Sequence, residues 1–225
     1  MSKQTMQFLY GDRELIITVA DILSTTTDVI VNSANAELIH NAGLAQKILA
    51  AAGDALTHES QLFIDEHGRL ESGMAVYTGA GKLPYKAIIH AVGPKMGEGE
   101  EQYQIEQAVL RSLQLCEMND WHSIAFPAIS TGINAVPVPI CAQACFRAIT
   151  HFWDARNDGV VQKIVICLTA PHFDAFFQAF REAGQAESSA PIASQNTTEQ
   201  PVGVIELNED EVYGASDEDI NDWFK

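Results

Sequence analysis

The chain is 225 residues long, 47% hydrophobic, and carries a formal net charge of −17, which fits one large or two small globular domains with a sizeable core. So acidic a surface repels nucleic-acid phosphate, whose binding relies on several Lys or Arg, and this argues against a general DNA- or RNA-binding role. No run approaches the roughly 20 apolar residues needed to span a bilayer, and the opening Met-Ser-Lys-Gln-Thr lacks the apolar stretch of a signal peptide. A soluble protein is expected, cytoplasmic by default, with nuclear or host-cell delivery left open.

From Gln7, two β-rich segments flank Gly11 and Asp12, residues suited to a tight turn, and predict a hairpin. A short strand at 28–32 follows. A helix is then predicted over 42–52, where Leu44, Ile48 and Leu49 repeat at helical spacing before Gly53. The alternation continues with strands at 75–78 and 87–91, a helix over 101–118 and a strand at 123–126, a pattern that implies a layered α/β fold. Pro137 and Pro139 suit the first turn of another helix, with an apolar stripe through Ile140, Ala144, Cys145, Ala148, Ile149 and Phe152. A strand at 160–168 and a helix over 171–183 close the fold. The Phe173, Phe176, Phe177 and Phe180 stripe of that helix reads as core packing.

The four cysteines lack the paired short spacings of a zinc site or a disulfide framework and read as buried reduced thiols. Residues 184–203 are too poor in large apolar residues to build a core and read as a linker. Residues 204–225 form an acidic tail containing Ile205, Leu207, Val212, Tyr213, Ile220, Trp223 and Phe224. The tail is expected either to stay solvated or to fold on a protein partner. Residues 183–225 hold ten Asp or Glu and one Lys, about half of the net charge.

Two loops carry the chemistry. Val31-Asn32-Ser33-Ala34-Asn35 ends a hydrophobic strand and leads through 36–42 into a helix; Phe126 to Pro137 repeats the arrangement of strand, small-residue loop and helix start. Ligands commonly bind beyond the carboxyl ends of strands in open α/β sheets, and a small-residue loop entering a helix offers free backbone N–H groups to an anion. Neither loop contains Lys or Arg, so an anion held between them, such as a diphosphate, would be stabilised by oriented amides. The competing reading of Asn32 and Asn35 is that they hydrogen-bond the loop and nothing more.

Three separated motifs agree in order and spacing with one family. V-N-S-A-N with H-N-A-G-L-A, G-K-L-P-Y-K-A-I-I-H-A-V-G-P and F-P-A-I-S-T-G-I-N-A-V-P make residues 7–183 resemble a macrodomain, in particular viral macrodomains and the first macrodomain of macrodomain-containing ADP-ribosyltransferases. The resemblance implies a three-layer α/β/α domain over 1–183 with a mixed central sheet. It also implies that ADP-ribose is bound as ligand or product, with ADP-ribosylated proteins as partners, and that no cofactor or metal is needed. Asp21, with Ile22 alongside, matches the acid that accepts from the adenine amino group. Asn35, after Ala34, matches the asparagine at the distal ribose that is implicated in hydrolysis. His40 matches a histidine near that ribose and is the second catalytic candidate. Gly43 and Leu44 would bring amides to one phosphate, while Ser130, Thr131, Gly132 and Ile133 wrap the other, with Asn134 alongside.

Departures from the family pattern bear on turnover. Ala45 stands where one hydrolase branch has a catalytic Asp, so water would have to be positioned by Asn35 and the substrate phosphate. Asn41-Ala42-Gly43 replaces a three-glycine loop, and Asn134-Ala135 replaces an aromatic residue followed by Gly. The implied activity is removal of mono-ADP-ribose from acidic side chains, with O-acetyl-ADP-ribose deacetylation or non-catalytic reading of ADP-ribosylated proteins as alternatives.

Overall fold

The computed structural model describes residues 4–156 and 158–188, with side chains through 182. Strands β1 (Thr5–Tyr10) and β2 (Arg13–Val19) form the expected hairpin, in which Tyr10 pairs with Arg13 and Gly11 turns the chain at φ 64°. The remaining elements are a 3-10 turn (Ile22–Ser24), β3 (Val29–Ala34), α1 (Gly43–Ala52), α2 (Ala55–His67), β4 (Ala75–Thr78), β5 (Ala87–Val92), α3 (Glu101–Met118), β6 (Ser123–Pro127), α4 (Val138–Asp154), β7 (Lys163–Leu168) and α5 (Ala170–Ser188). They build a seven-stranded sheet in the order β1-β2-β7-β6-β3-β5-β4. The five inner strands run parallel, and the edge strands β1 and β4 are antiparallel to their neighbours, so the sheet is mixed as expected.

Both sheet faces are covered, which is why β3 and β5 read as continuous apolar runs rather than alternating ones. On one face Ile30 and Ile88 pack with Ile48 and Ala52 of α1 and Leu56 of α2. On the other, Val29, Val31, Ile89 and Phe126 pack under α3, α4 and α5. Each large aliphatic or aromatic side chain buried this way contributes about 1.5–3 kcal/mol. The phenylalanine stripe of α5 belongs to this second layer: Phe176 and Phe180 are fully buried, and Phe180 meets Phe8 at a tilt and Phe146 edge-to-face. Arg13 is buried too, with its guanidinium donating to the carbonyl oxygens of Trp153 (2.9 Å) and Arg156 at the carboxyl end of α4, where a cation complements the helix dipole.

One helix and several boundaries differ from expectation, β3 among them, which runs on to Ala34 rather than 32. Helix α2 has no counterpart among the expected elements, because Leu56 and Ser60 are the only buried residues along its 13 positions. Strand β7 starts at Lys163 rather than 160, since the amides of Val160 and Val161 are taken by the Glu117 carboxylate at 3.0 and 3.2 Å. Helix α5 runs past 183 to Ser188, and the rest of the expected linker and the acidic tail lie outside the described residues. All four cysteines are buried thiols outside any disulfide. Among the described residues no helix is long and apolar enough to cross a membrane.

Candidate functional site

A cleft of about 600 Å³ opens beyond the carboxyl ends of the parallel strands. It is lined by all eleven expected binding residues: Asp21, Ile22, Ala34, Asn35, Gly43, Leu44, Ser130, Thr131, Gly132, Ile133 and Asn134. Asp21 follows β2, and Asn35 follows β3. Lys95, also in the lining, follows β5. At about 4.8 Å between neighbouring strands, the four steps from β2 to β5 span about 19 Å. The site is a long slot across the sheet end, with α1 pointing its amino end into its middle and the β6–α4 loop facing it.

At the β2 end, Asp21 caps the 3-10 turn, its Oδ1 accepting from the Leu23 amide at 3.1 Å. Its Oδ2 accepts from Lys47 Nζ at 2.6 Å, and this bond holds the carboxyl below the usual aspartate range. Leu168, Thr169 and His172 line the same end from β7 and the start of α5. In the middle, helix α1 begins at Gly43, and among the described residues no side chain caps its first turn and none accepts from the Gly43 and Leu44 amides, which are open to a ligand. Across the slot, the amides of Gly132 and Ile133 also have no acceptor among the described residues. A Cβ placed on Gly43 would stand 4.0 Å from Ile133 Cδ1, so the two loops approach each other over the slot.

At the β3 and β5 end, both polar atoms of the Asn35 side chain are engaged by its own loop. Nδ2 donates to the Ile39 carbonyl at 2.8 Å, and Oδ1 accepts from the Ile39 amide at 2.9 Å. Asn134 Nδ2 donates to the Gly93 carbonyl (3.2 Å) and to Ser130 Oγ (3.4 Å), and its own carbonyl accepts from the Met96 amide at 2.9 Å. Asn134 therefore staples the β5–α3 loop to the β6–α4 loop. Gly93 is required at this junction: a Cβ there would fall 2.1 Å from Ser130 Oγ.

The Macro domain family model matches residues 31–145, a span from β3 into α4 that holds both cleft loops. The O-acetyl-ADP-ribose deacetylase of Salmonella typhimurium is 42% identical over 134 residues, 59% of this chain and 75% of that protein. The human protein mono-ADP-ribosyltransferase PARP14 is 34% identical over 185 residues, 79% of this chain and 10% of its own length.

The chain belongs to the macrodomain family.

Among solved structures, the Oceanobacillus iheyensis macrodomain with ADP is similar at a TM-score of 0.78 and 26% identity, covering 83% of this chain and 100% of that one. A variant of that macrodomain was solved with ADPR. Against the family pattern, two departures take on a physical meaning. Ala42 sits at φ −152°, extended backbone open to any residue, so the lost glycine costs nothing there; Gly43, at φ 56°, is the position where glycine matters. Ala135 does carry a cost, because its φ of 56° is left-handed.

His40 is placed differently from the other expected residues. It does not line the cleft: its ring is buried against His90, with centroids 5.2 Å apart, and Nε2 bonds Ser60 Oγ of α2 at 2.9 Å. His90 lies within a buried hydrogen-bond chain. Asn32 Nδ2 donates to His90 Nδ1 (3.2 Å), so Nε2 carries the proton and donates to Thr78 Oγ1 (2.9 Å), which donates to the Gly79 carbonyl (3.1 Å). Burial first, and His40 second, push His90 down to about 3; burial also lowers His40. Both rings are neutral scaffold for the loop that ends at Gly43.

The sequence reading missed Lys47, Lys95, Thr169 and His172. Lys47 was legible in principle, four residues after Gly43 and so on the same helix face. The other three reach the slot only because of where β5 and β7 lie in the sheet.

Proposed function

We propose that the chain binds ADP-ribose along this slot and hydrolyses acyl esters of the distal ribose, a class that includes mono-ADP-ribose on Glu or Asp and O-acetyl-ADP-ribose. The observation that carries the reading is the slot itself: an acid at one end, two sets of uncapped backbone amides in the middle, and Asn35 at the other end. The base would lie at Asp21, the diphosphate between Gly43–Leu44 and Ser130–Ile133, and the ester beside Asn35. The deacetylase named above supports ester chemistry.

In the reaction, water oxygen bonds to the acyl carbon and the bond from that carbon to the ribose oxygen breaks. The ribose hydroxyl and a carboxylic acid form. The cleft-lining carboxyl and imidazole, Asp21 and His172, sit at the base end, so neither serves as general base at the ester. Water positioned by Asn35 and by the substrate diphosphate supplies the attack, with proximity and orientation carrying the acceleration.

A reader without turnover is the second reading, favoured by the engagement of both Asn35 polar atoms with Ile39. The test is release of ADP-ribose from a protein mono-ADP-ribosylated on Glu and from O-acetyl-ADP-ribose, for wild type and Asn35→Ala, alongside calorimetric titration of ADP-ribose. A fall of at least tenfold in the variant, about 1.4 kcal/mol of barrier, with ADP-ribose affinity retained, supports the hydrolase. Tight binding with no turnover of either ester supports the reader, and no binding refutes the ligand.

A further inference from the structure

Two oppositely charged side chains, Asp21 and Lys47, line the cleft and bond each other at 2.6 Å. Both carboxylate oxygens of Asp21 are therefore engaged before any ligand arrives: Oδ2 accepts from Lys47 and Oδ1 from the Leu23 amide. The pair is half-exposed, with 55% of the Lys47 side chain and 44% of the Asp21 side chain open to solvent, so water screens it and it parts at little cost. Lys95, the other lysine of the lining, follows β5 at the far end of the slot.

The place of Lys47 on α1 sets what else its ammonium can reach. It stands four residues beyond Gly43, about 6 Å along the helix axis. Helical side chains lean towards the amino end of their helix, and the flexible four-carbon stem of lysine covers that distance. The ammonium can thus stand level with the open Gly43 and Leu44 amides as well as beside Asp21. A diphosphate held at those amides carries twice the charge of a carboxylate and accepts charge-assisted hydrogen bonds, so it is the stronger partner of the two.

We infer that Lys47 is a specificity residue that changes partners: bonded to Asp21 in the empty cleft, it turns to the diphosphate of ADP-ribose and releases Oδ2 to the adenine amino group. The inference rests on the proposed placement of base and diphosphate along the slot. Its consequence is a coupling between two parts of the ligand. A nucleoside without phosphate must part Asp21 from Lys47 with nothing to receive the ammonium, so the cleft disfavours adenosine and favours the diphosphate-bearing ligand.

The test titrates ADP-ribose by calorimetry and adenosine by ligand-observed NMR into the full chain, for wild type, Lys47→Met and Lys47→Arg. Lys47→Met should weaken ADP-ribose about tenfold, through loss of a charged hydrogen bond to phosphate. It should tighten adenosine about threefold, because an exposed ion pair of this kind is worth a factor of roughly 1.5 to 5. Lys47→Arg, which keeps the charge, should stay close to the wild type in the ratio of the two affinities. A merely structural role would move both ligands in the same direction. The exchange of partners is overturned if Lys47→Met binds ADP-ribose as the wild type does, if it binds adenosine no more tightly than the wild type, or if Lys47→Arg behaves like Lys47→Met. Absence of ADP-ribose binding by the wild type is a different result, since it removes the parent reading as well.

Discussion

His90 should make this fold acid-labile well above the pH at which carboxylates titrate. Its imidazole is fully buried and neutral, with its titration pushed from the ordinary 6.5 to about 3. The unfolded chain therefore takes up a proton before the folded one does. The stability contributed by keeping the ring neutral is fully present above pH 6.5 and is lost as pH falls from there towards 3. One pKa unit corresponds to about 1.4 kcal/mol, so lowering the pH from 7.5 to 5 should cost about 2 kcal/mol through His90 alone. His40, also lowered by burial, acts in the same direction over the same window. With a urea slope of about 2 kcal/mol per molar, the midpoint should fall by about 1 M. Urea denaturation at pH 7.5, 6.5, 5.5 and 5 measures this directly. The His90→Gln variant should start less stable but show a flatter dependence. A wild-type change under about 0.5 kcal/mol across the window, or an identical slope in the variant, refutes the assignment of the loss to this ring.

Three substitutions probe the slot. Gly93→Ala should destabilise the domain by about 1–3 kcal/mol, because the new methyl collides with Ser130 Oγ and Ile129 Cγ2; thermal denaturation reads the loss, and calorimetric titration should show weakened ADP-ribose binding. Asn134→Ala removes the staple between the β5–α3 and β6–α4 loops, and about tenfold weaker ADP-ribose binding is expected with little change in melting temperature; unchanged affinity would mean that the loops hold their places without it. Ala135→Gly should stabilise the domain by about 1 kcal/mol in urea titration, since relief of the left-handed strain of about 1–2 kcal/mol exceeds the entropy that glycine adds to the unfolded chain.

The sheet was legible because its inner strands are buried on both faces, so Val29–Val31, Ala87–Ala91 and Ser123–Phe126 stand out as apolar runs. Both cleft loops were legible because their small residues and asparagines interrupt those runs at strand ends. Helix α2 was not, since two buried positions in 13 leave no periodic signal. The misplacement of His40 follows from that gap: the ring is drawn away from the cleft by Ser60, a residue of the helix that went unseen. Lys95 and His172 were illegible for a different reason. Their membership of the site depends on strand order, β2-β7-β6-β3-β5, which no local pattern encodes.

Strand order also makes the sheet a ruler. Each loop that grips the ligand leaves from a strand end, so the distances between the grips are multiples of about 4.8 Å fixed by the hydrogen-bonded ladder. Loop sequences can drift, exchanging glycine for alanine or an aromatic for asparagine, without altering the length of molecule that is measured. Changing that length would require adding or removing a whole strand between β2 and β5.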